Sequence, residues 1–224
     1  MRQILFITGT DTGVGKTLLT RMLAEFLTRR STKVAAFKPL CSGGREDAVA
    51  LHSALPDTLT LDQINPWHFR AALTPALAAR REKKSVSLRQ VLTHLRAAQK
   101  PFAVTLIEGA GGLLSPLGVN FNSRDLMVAL RATPVIVAPN RLGAVNQVLL
   151  TREALPLNLR RCARVVLMSP AKPDAATETN VEVLASWLPR KNLLQIPWLG
   201  SRYDPVYATK NRKVAHTLRV LTAG

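Results

Sequence analysis

Cysteine is nearly absent from this chain: Cys41 and Cys162 are the two thiols. Two thiols make neither a disulfide framework nor a metal set, so a reducing cytoplasm is the natural setting. Aromatic residues contribute only 5%, too few for a stacking platform along a single nucleic-acid strand. Long apolar runs are also missing. Nothing approaches the ~18 residues of a membrane span. The first apolar stretch, Ile4 to Ile7, leads straight into a glycine-bearing loop, so neither a signal peptide nor a membrane location is expected. The four histidines have no metal spacing, and no G-x-S-x-G elbow supplies a serine nucleophile. Acidic side chains are scarce: 14 Asp and Glu face 31 Lys and Arg, a formal charge of +17. The basic runs Arg80-Arg81-Glu82-Lys83-Lys84, Arg160-Arg161 with Arg164, and Lys210-Asn211-Arg212-Lys213 carry no interleaved aromatics. They read as a solvated basic face that also steers small anions, ahead of a nucleic-acid surface.

What is present fits a globular α/β chain. Its 224 residues are 47% hydrophobic and suffice for one domain, 1–224, with a substantial core. Strand patterns at Gln3 to Thr8, Lys33 to Phe37, Ala103 to Ile107, Pro134 to Ala138, Arg164 to Met168 and Leu193 to Ile196 alternate with helical ones. The helical patterns are Thr17 to Arg30, Asp47 to Leu55, a segment opened by Thr74-Pro75, Ser87 to Gln99, Ser123 to Arg131, Ala144 to Ala154 and Glu178 to Trp187. The acidic pair Glu46-Asp47 reads as a cap, Leu61 to Leu73 as irregular with a turn at Asn65-Pro66, and the tail Val206 to Leu221 as helical. Short apolar strands between amphipathic helices predict a mostly parallel central sheet covered by helices on both faces, with ligands at the carboxyl ends of its strands.

The chemistry begins at residues 4–17, ILFITGTDTGVGKT. Gly9, Gly13 and Gly15 let the backbone curl so that amide hydrogens turn inward toward phosphate oxygens. A helix starting near Lys16 adds the positive end of its dipole. Lys16 can reach β- and γ-phosphates, and the Thr17 hydroxyl can bind Mg²⁺. The strict phosphate-loop pattern asks for glycine at position 10, where this chain has Thr10.

Other candidates lie at strand ends. Lys38 precedes Pro39, which keeps the backbone extended; it reads either as a cation over the cleft or as an ordinary exposed lysine. Asp47 reads either as a metal ligand or as a helix-start acid complementing the dipole. Glu108 closes an apolar strand and begins Glu108-Gly109-Ala110-Gly111-Gly112. A carboxylate there suits a metal site, and the glycines allow close backbone approach to an anion; a tight turn with a solvated acid is the other reading.

Together these residues resemble the dethiobiotin synthetase family, within the phosphate-loop NTPases. The resemblance rests on Gly9 to Thr17, Lys38-Pro39, Ser42-Gly43, Asp47-Ala48, Asn65-Pro66, Thr74-Pro75, Glu108 to Gly112, Leu142-Gly143 and Ile196-Pro197-Trp198. It implies ATP-dependent closure of a cyclic urea from 7,8-diaminononanoate and CO₂ or bicarbonate. It further implies that Thr12, Gly13, Val14, Gly15, Lys16, Thr17, Ser169 and Pro197 hold ATP. Thr17, Asp47 and Glu108 hold Mg²⁺. Thr12, Lys38, Ser42 and Gly111 hold the substrate, with Lys38 and Lys16 acting on the transferring phosphoryl. A homodimer is implied, in which the partner chain brings Leu142-Gly143 to the site.

One departure stands out. The family usually presents an asparagine after the strand at Arg164 to Met168 to read adenine, and this chain has Met168-Ser169-Pro170. Serine cannot pair with a base edge in a bidentate way. The competing reading is a partitioning-type ATPase switch that binds DNA through its basic surface. Against it, that group usually carries an extra lysine early in the phosphate loop, and Thr10, Asp11 and Thr12 supply none.

Overall fold

The computed structural model describes residues 2–55, 57–200 and 208–223. The chain begins with β1 (Gln3–Gly9) and α1 (Lys16–Thr28), then β2 (Val34–Phe37), β3 (Leu40–Ser42), α2 (Glu46–Ala54), α3 (Leu61–Ile64) and β4 (Trp67–Phe69). It continues through α4 (Pro75–Arg81), α5 (Leu88–Ala98), β5 (Val104–Gly112), β6 (Pro116–Gly118), β7 (Phe121–Asn122) and α6 (Ser123–Leu130). The remaining elements are β8 (Thr133–Pro139), α7 (Ala144–Glu153), α8 (Leu157–Cys162), β9 (Arg164–Met168), α9 (Ala175–Ala185), β10 (Leu193–Ile196) and α10 (Arg212–Thr222).

Six strands form one sheet in the order β10-β9-β8-β1-β5-β2. Every pairing in it is parallel. Strand periodicity divides the core. Leu5 and Ile7 of β1 join the buried side chains of α1, α2 and α10, among them Leu19, Leu51 and Leu218. Phe6, one residue out of phase, joins the opposite layer with Leu95, Met127 and Val148 from α5, α6 and α7. Both faces are covered, as parallel sheets require. Truncating a fully buried leucine such as Leu19 to alanine costs about 2–5 kcal/mol.

Strand order reverses at β1, with β5 and β2 on one side and β8, β9 and β10 on the other. In open α/β sheets that reversal leaves a crevice at the carboxyl ends.

Several local expectations change. Leu61 to Leu73 is not irregular: it contains α3, closed by a Thr60–Gln63 capping box, and β4, which pairs in parallel with β3. β5 does not close at Glu108 but runs through Gly112, because Glu108 and Gly112 both pair with β1 across a bulge. Glu46 and Asp47 lie inside the first turn of α2, whose cap position is Arg45 without a side-chain bond. α9 starts at Ala175 because Asp174 caps it through Thr177. The β6–β7 pair and α8 are additional elements. The helical tail is observed as Arg212–Thr222, while the part expected from Val206 through residue 207 lies outside the described residues.

Candidate active site

The loop between β1 and α1 is built by its glycines. Gly13 has φ 72° and Gly15 has φ 98°, conformations that a side chain makes costly. Gly9 is needed for a different reason: a Cβ there would stand 2.6 Å from Val14 Cγ2. Thr10 is absent from the described non-glycine residues with positive φ, which are Ser31, Lys83, Asn120 and Arg131. Its backbone instead extends the sheet, N–H donating to Val137 O at 3.0 Å. The missing glycine at position 10 is therefore no obstacle to this loop. No side chain caps α1, so its first amides, which lack intrahelical partners, face the loop as an anion site.

Lys16 folds back over that loop, Nζ donating to Asp11 O at 2.8 Å. Burial, and then the neighbouring Lys38 charge, lower its pKa to about 8.

Four side chains from four separate segments converge beside it. Lys38 Nζ donates to Asp47 Oδ2 at 2.7 Å, to Glu108 Oε1 at 2.7 Å and to Gly109 O at 3.2 Å. Thr17 Oγ1 lies 2.8 Å from Asp47 Oδ1 and 2.7 Å from Glu108 Oε1. Lys38 and Glu108 are buried, and the Asp47 side chain is half exposed. Burial alone lowers the Lys38 pKa, but Glu108 and Asp47 outweigh it and hold the ammonium above its ordinary range. For Asp47, burial pushes upward, and the Lys38 charge with the hydrogen bonds from Lys38 and Thr17 brings it below the usual carboxylate range.

This cluster fits a hard cation. A hydroxyl has one proton and can donate to only one of the two carboxylates it touches. Glu108 Oε2 is buried with no hydrogen-bond partner. Three oxygens thus converge with more acceptor capacity than donors, the chemistry that suits Mg²⁺. Among the described residues no group of three or more His, Cys, Asp or Glu side chains could hold a metal. Mg²⁺ here would need Thr17, Asp47 and Glu108 together with phosphate oxygens and water, its usual manner of binding.

The cluster opens into a cleft of about 760 Å³, with Thr12, Ser42, Thr74 and Gly111 along its walls. The Ser42 hydroxyl donates to the carbonyl of Leu73. Gly111 has φ 68°. A second hollow of about 360 Å³ lies across the loop and shares Gly13 and Gly15 with the first. Val14, Ser169, Pro197 and Trp198 line it. Asn140 lines it too, with its amide engaged on both sides: Nδ2 donates to Thr177 O at 2.9 Å and Oδ1 accepts from Asn180 at 2.8 Å.

Of the residues singled out in the sequence, Leu142 and Gly143 line neither space within the chain. They lie at the start of α7, with Leu142 83% exposed and Gly143 at φ 88°. Sequence reasoning passed over Cys41 and Ser115 as site residues, although both line the first cleft, and read Asn65 as part of a turn and of the family resemblance, with no role at the site. No spacing signal marks these three.

Comparison with known proteins agrees with this geometry. The model of the AAA domain family matches residues 3–205. An ATP-dependent dethiobiotin synthetase BioD from Anaeromyxobacter dehalogenans (strain 2CP-C) is 37% identical over 219 residues, covering 96% of this chain and 96% of the relative. The protein of the same description from Bacillus subtilis (strain 168) is 32% identical over 201 residues, covering 87% of this chain and 84% of the relative. Among solved structures, a ParA family ATPase from Chlorobium tepidum TLS matches with TM-score 0.57 at 11% identity, covering 97% of this chain and 96% of that one. A structure of pNOB8 ParA bound to nonspecific DNA matches with TM-score 0.58 at 13% identity, over 99% and 97%. At such identity these likenesses establish the fold alone. Sequence identity over nearly full length is the stronger finding, and the chain belongs to the ATP-dependent dethiobiotin synthetase family.

Proposed function

We propose that this chain uses ATP to close the cyclic urea of dethiobiotin from 7,8-diaminononanoate and CO₂. The observation that carries this reading is Lys38: a buried ammonium, held beside two carboxylates, at the junction of the phosphate loop and an open cleft. One amine of the substrate takes up CO₂ to give a carbamate. A carbamate oxygen attacks the γ-phosphorus, the bond to ADP breaks, and the second amine then attacks the carbonyl carbon and expels phosphate.

No protein nucleophile is required, so the chain contributes position and charge. Lys16 and the amides of Gly13, Val14 and Gly15 hold the triphosphate, with Thr12 at the edge of the loop. Lys38 neutralises the carbamate and the transferring phosphoryl. Ser42, Gly111 and Thr12 bound the space for the diamine. Thr17, Asp47 and Glu108 would hold Mg²⁺, which when bound offsets phosphate charge. Ser169 and Pro197 border the base.

The exposed Leu142 supports a homodimer, in which the partner's loop completes the carboxylate end of the substrate site. The two cysteines are free, and no helix among the described residues is long and apolar enough to cross a membrane. Both facts are compatible with the cytoplasmic location assigned here. The DNA-binding switch has fold likeness, surface charge and the phosphate loop in its favour, but Thr10, Asp11 and Thr12 supply no extra loop lysine.

Incubation with 7,8-diaminononanoate, bicarbonate, Mg²⁺ and ATP, with mass detection of the cyclic urea, tests the proposal. Nucleotide hydrolysis without that product would sink it.

A further inference from the structure

We propose that Asn65 is a positioning residue for Lys38 and that Arg45 locks it in place. The inference rests on the reading of Lys38 given above and extends it to residues outside the cleft's reacting groups. Asn65 is 1% exposed. Its Nδ2 donates to the carbonyl of Lys38 at 2.6 Å and approaches that of Pro39 at 3.5 Å. Its Oδ1 accepts from Arg45 Nε at 3.0 Å and from Cys41 Sγ at 3.2 Å. These contacts engage both the donor and the acceptor side of the amide, and their polarity fixes which side is which: a guanidinium only donates and a carbonyl only accepts.

The chain around Asn65 adds to the hold. The Lys38 amide donates to Ile64 O at 3.1 Å, and Trp67 N–H donates to Pro39 O at 3.2 Å. Arg45 sits at the cap position of α2, two residues before Asp47. Its guanidinium also reaches Asn65 O at 2.8 Å and Asp62 Oδ1 at 2.6 Å. One buried amide thereby ties the backbone that carries Lys38 to the start of the helix that carries Asp47. The separation of the two charged groups is set from behind, without Asn65 touching substrate.

Asn65→Asp isolates this role. It keeps the size and the acceptor that Arg45 and Cys41 use, but turns an oxygen toward the Lys38 carbonyl. The expected result is a kcat about 10²-fold lower, the scale of a small misplacement of a reacting group, with the KM for ATP within about twofold. In a Lys38→Ala background the same change should produce no further loss in single-turnover rate, since residues acting as a unit are non-additive and leave a residual rate.

Arg45→Met, which leaves every Lys38 contact intact, serves if the aspartate variant does not fold. A fall in kcat of about tenfold at unchanged KM is expected from loosening Asn65 alone. The arms separate the two ideas. Full turnover by Lys38→Ala would remove the reading of Lys38 itself. A defective Lys38→Ala beside a normal kcat in Asn65→Asp, or in a folded Arg45→Met, would overturn the brace and leave Lys38 in place. So would an Asn65→Asp loss repeated in full on the Lys38→Ala background.

Discussion

Lys38 Nζ and Glu108 Oε1 meet at 2.7 Å with side-chain exposures of 4% and 0%. A buried ion pair of this kind contributes little net stability, because desolvation offsets the attraction. What it does is fix a positive charge and a negative charge at known places before any ligand arrives.

Replacing Lys38 by alanine should slow dethiobiotin formation by about 10²-fold or more while nucleotide binding stays within about threefold. Loss of a contact to a transferring phosphoryl costs ~3 kcal/mol or more in the transition state, a factor of about 10². Parallel calorimetry with ATP and product assay by mass detection check it; normal product formation would exclude the role.

Glu108→Gln keeps the shape of the side chain and removes its charge. The Mg²⁺ concentration giving half-maximal rate should rise about tenfold, with slow turnover at saturation. Mn²⁺ titration followed by electron paramagnetic resonance reads the same site without turnover, and an unchanged titration takes Glu108 out of the metal set.

Base choice should be relaxed. Among the described residues the second hollow offers Ser169 and one side-chain amide, that of Asn140, which is buried and already engaged by Thr177 and Asn180. Large discrimination arises where a site is built to hydrogen-bond one substrate and is left unpaired by another. The kcat/KM values for ATP, CTP and GTP should then lie within about tenfold of one another. A preference for ATP of several orders of magnitude contradicts this.

The Lys16 pKa of about 8, lowered from 10.5 first by burial and then by Lys38, gives a pH signature. Between those values the unfolded chain retains a proton that the ligand-free folded chain has released. The unfolded state binds more protons, so this group makes stability rise with pH across that window. A bound triphosphate favours the charged form. Binding should therefore take up a proton at about pH 8.5, and affinity should fall as pH rises past 8. Calorimetry in buffers of different ionisation enthalpy measures the uptake, and Lys16→Met should lose it.

Leu142→Asp should weaken self-association and raise the KM for the diamine, leaving ATP affinity within about twofold, because the partner loop faces only the substrate end in the proposed dimer. Sedimentation velocity beside steady-state kinetics decides it. A variant that remains dimeric with unchanged KM removes Leu142 from the shared site.

Much of the scaffold was legible because its signals are local. β1, its loop and α1 announce themselves by an apolar run, glycines and a 3.6-residue period within one stretch. β3 and β4 were not legible: three residues each carry no period, and the partner strand lies far along the chain. Glycine is read as a breaker, so the strand was expected to close at Glu108, yet Glu108 and Gly112 both pair with β1 and the strand continues across a bulge. Lys38, Asp47 and Glu108 could be named individually, but their meeting is a tertiary fact. Asn65 carried a turn signal and a place in the family resemblance but no sign of its role, since its partners include two backbone carbonyls and a guanidinium that no spacing rule connects.

The glycine loop stands between two spaces fed by different halves of the sheet. The ends of β2 and β5, with Ser42 of the separate β3–β4 pair, line one, and the ends of β8, β9 and β10 line the other, with Gly13 and Gly15 common to both. With the acceptor in the first space and the base in the second, as proposed, acceptor chemistry and base preference would be encoded in separate stretches of the gene. Exchanging the segments after β8, β9 and β10 with those of a relative offers a way to retune which nucleotide serves as fuel without redesigning the reaction it drives.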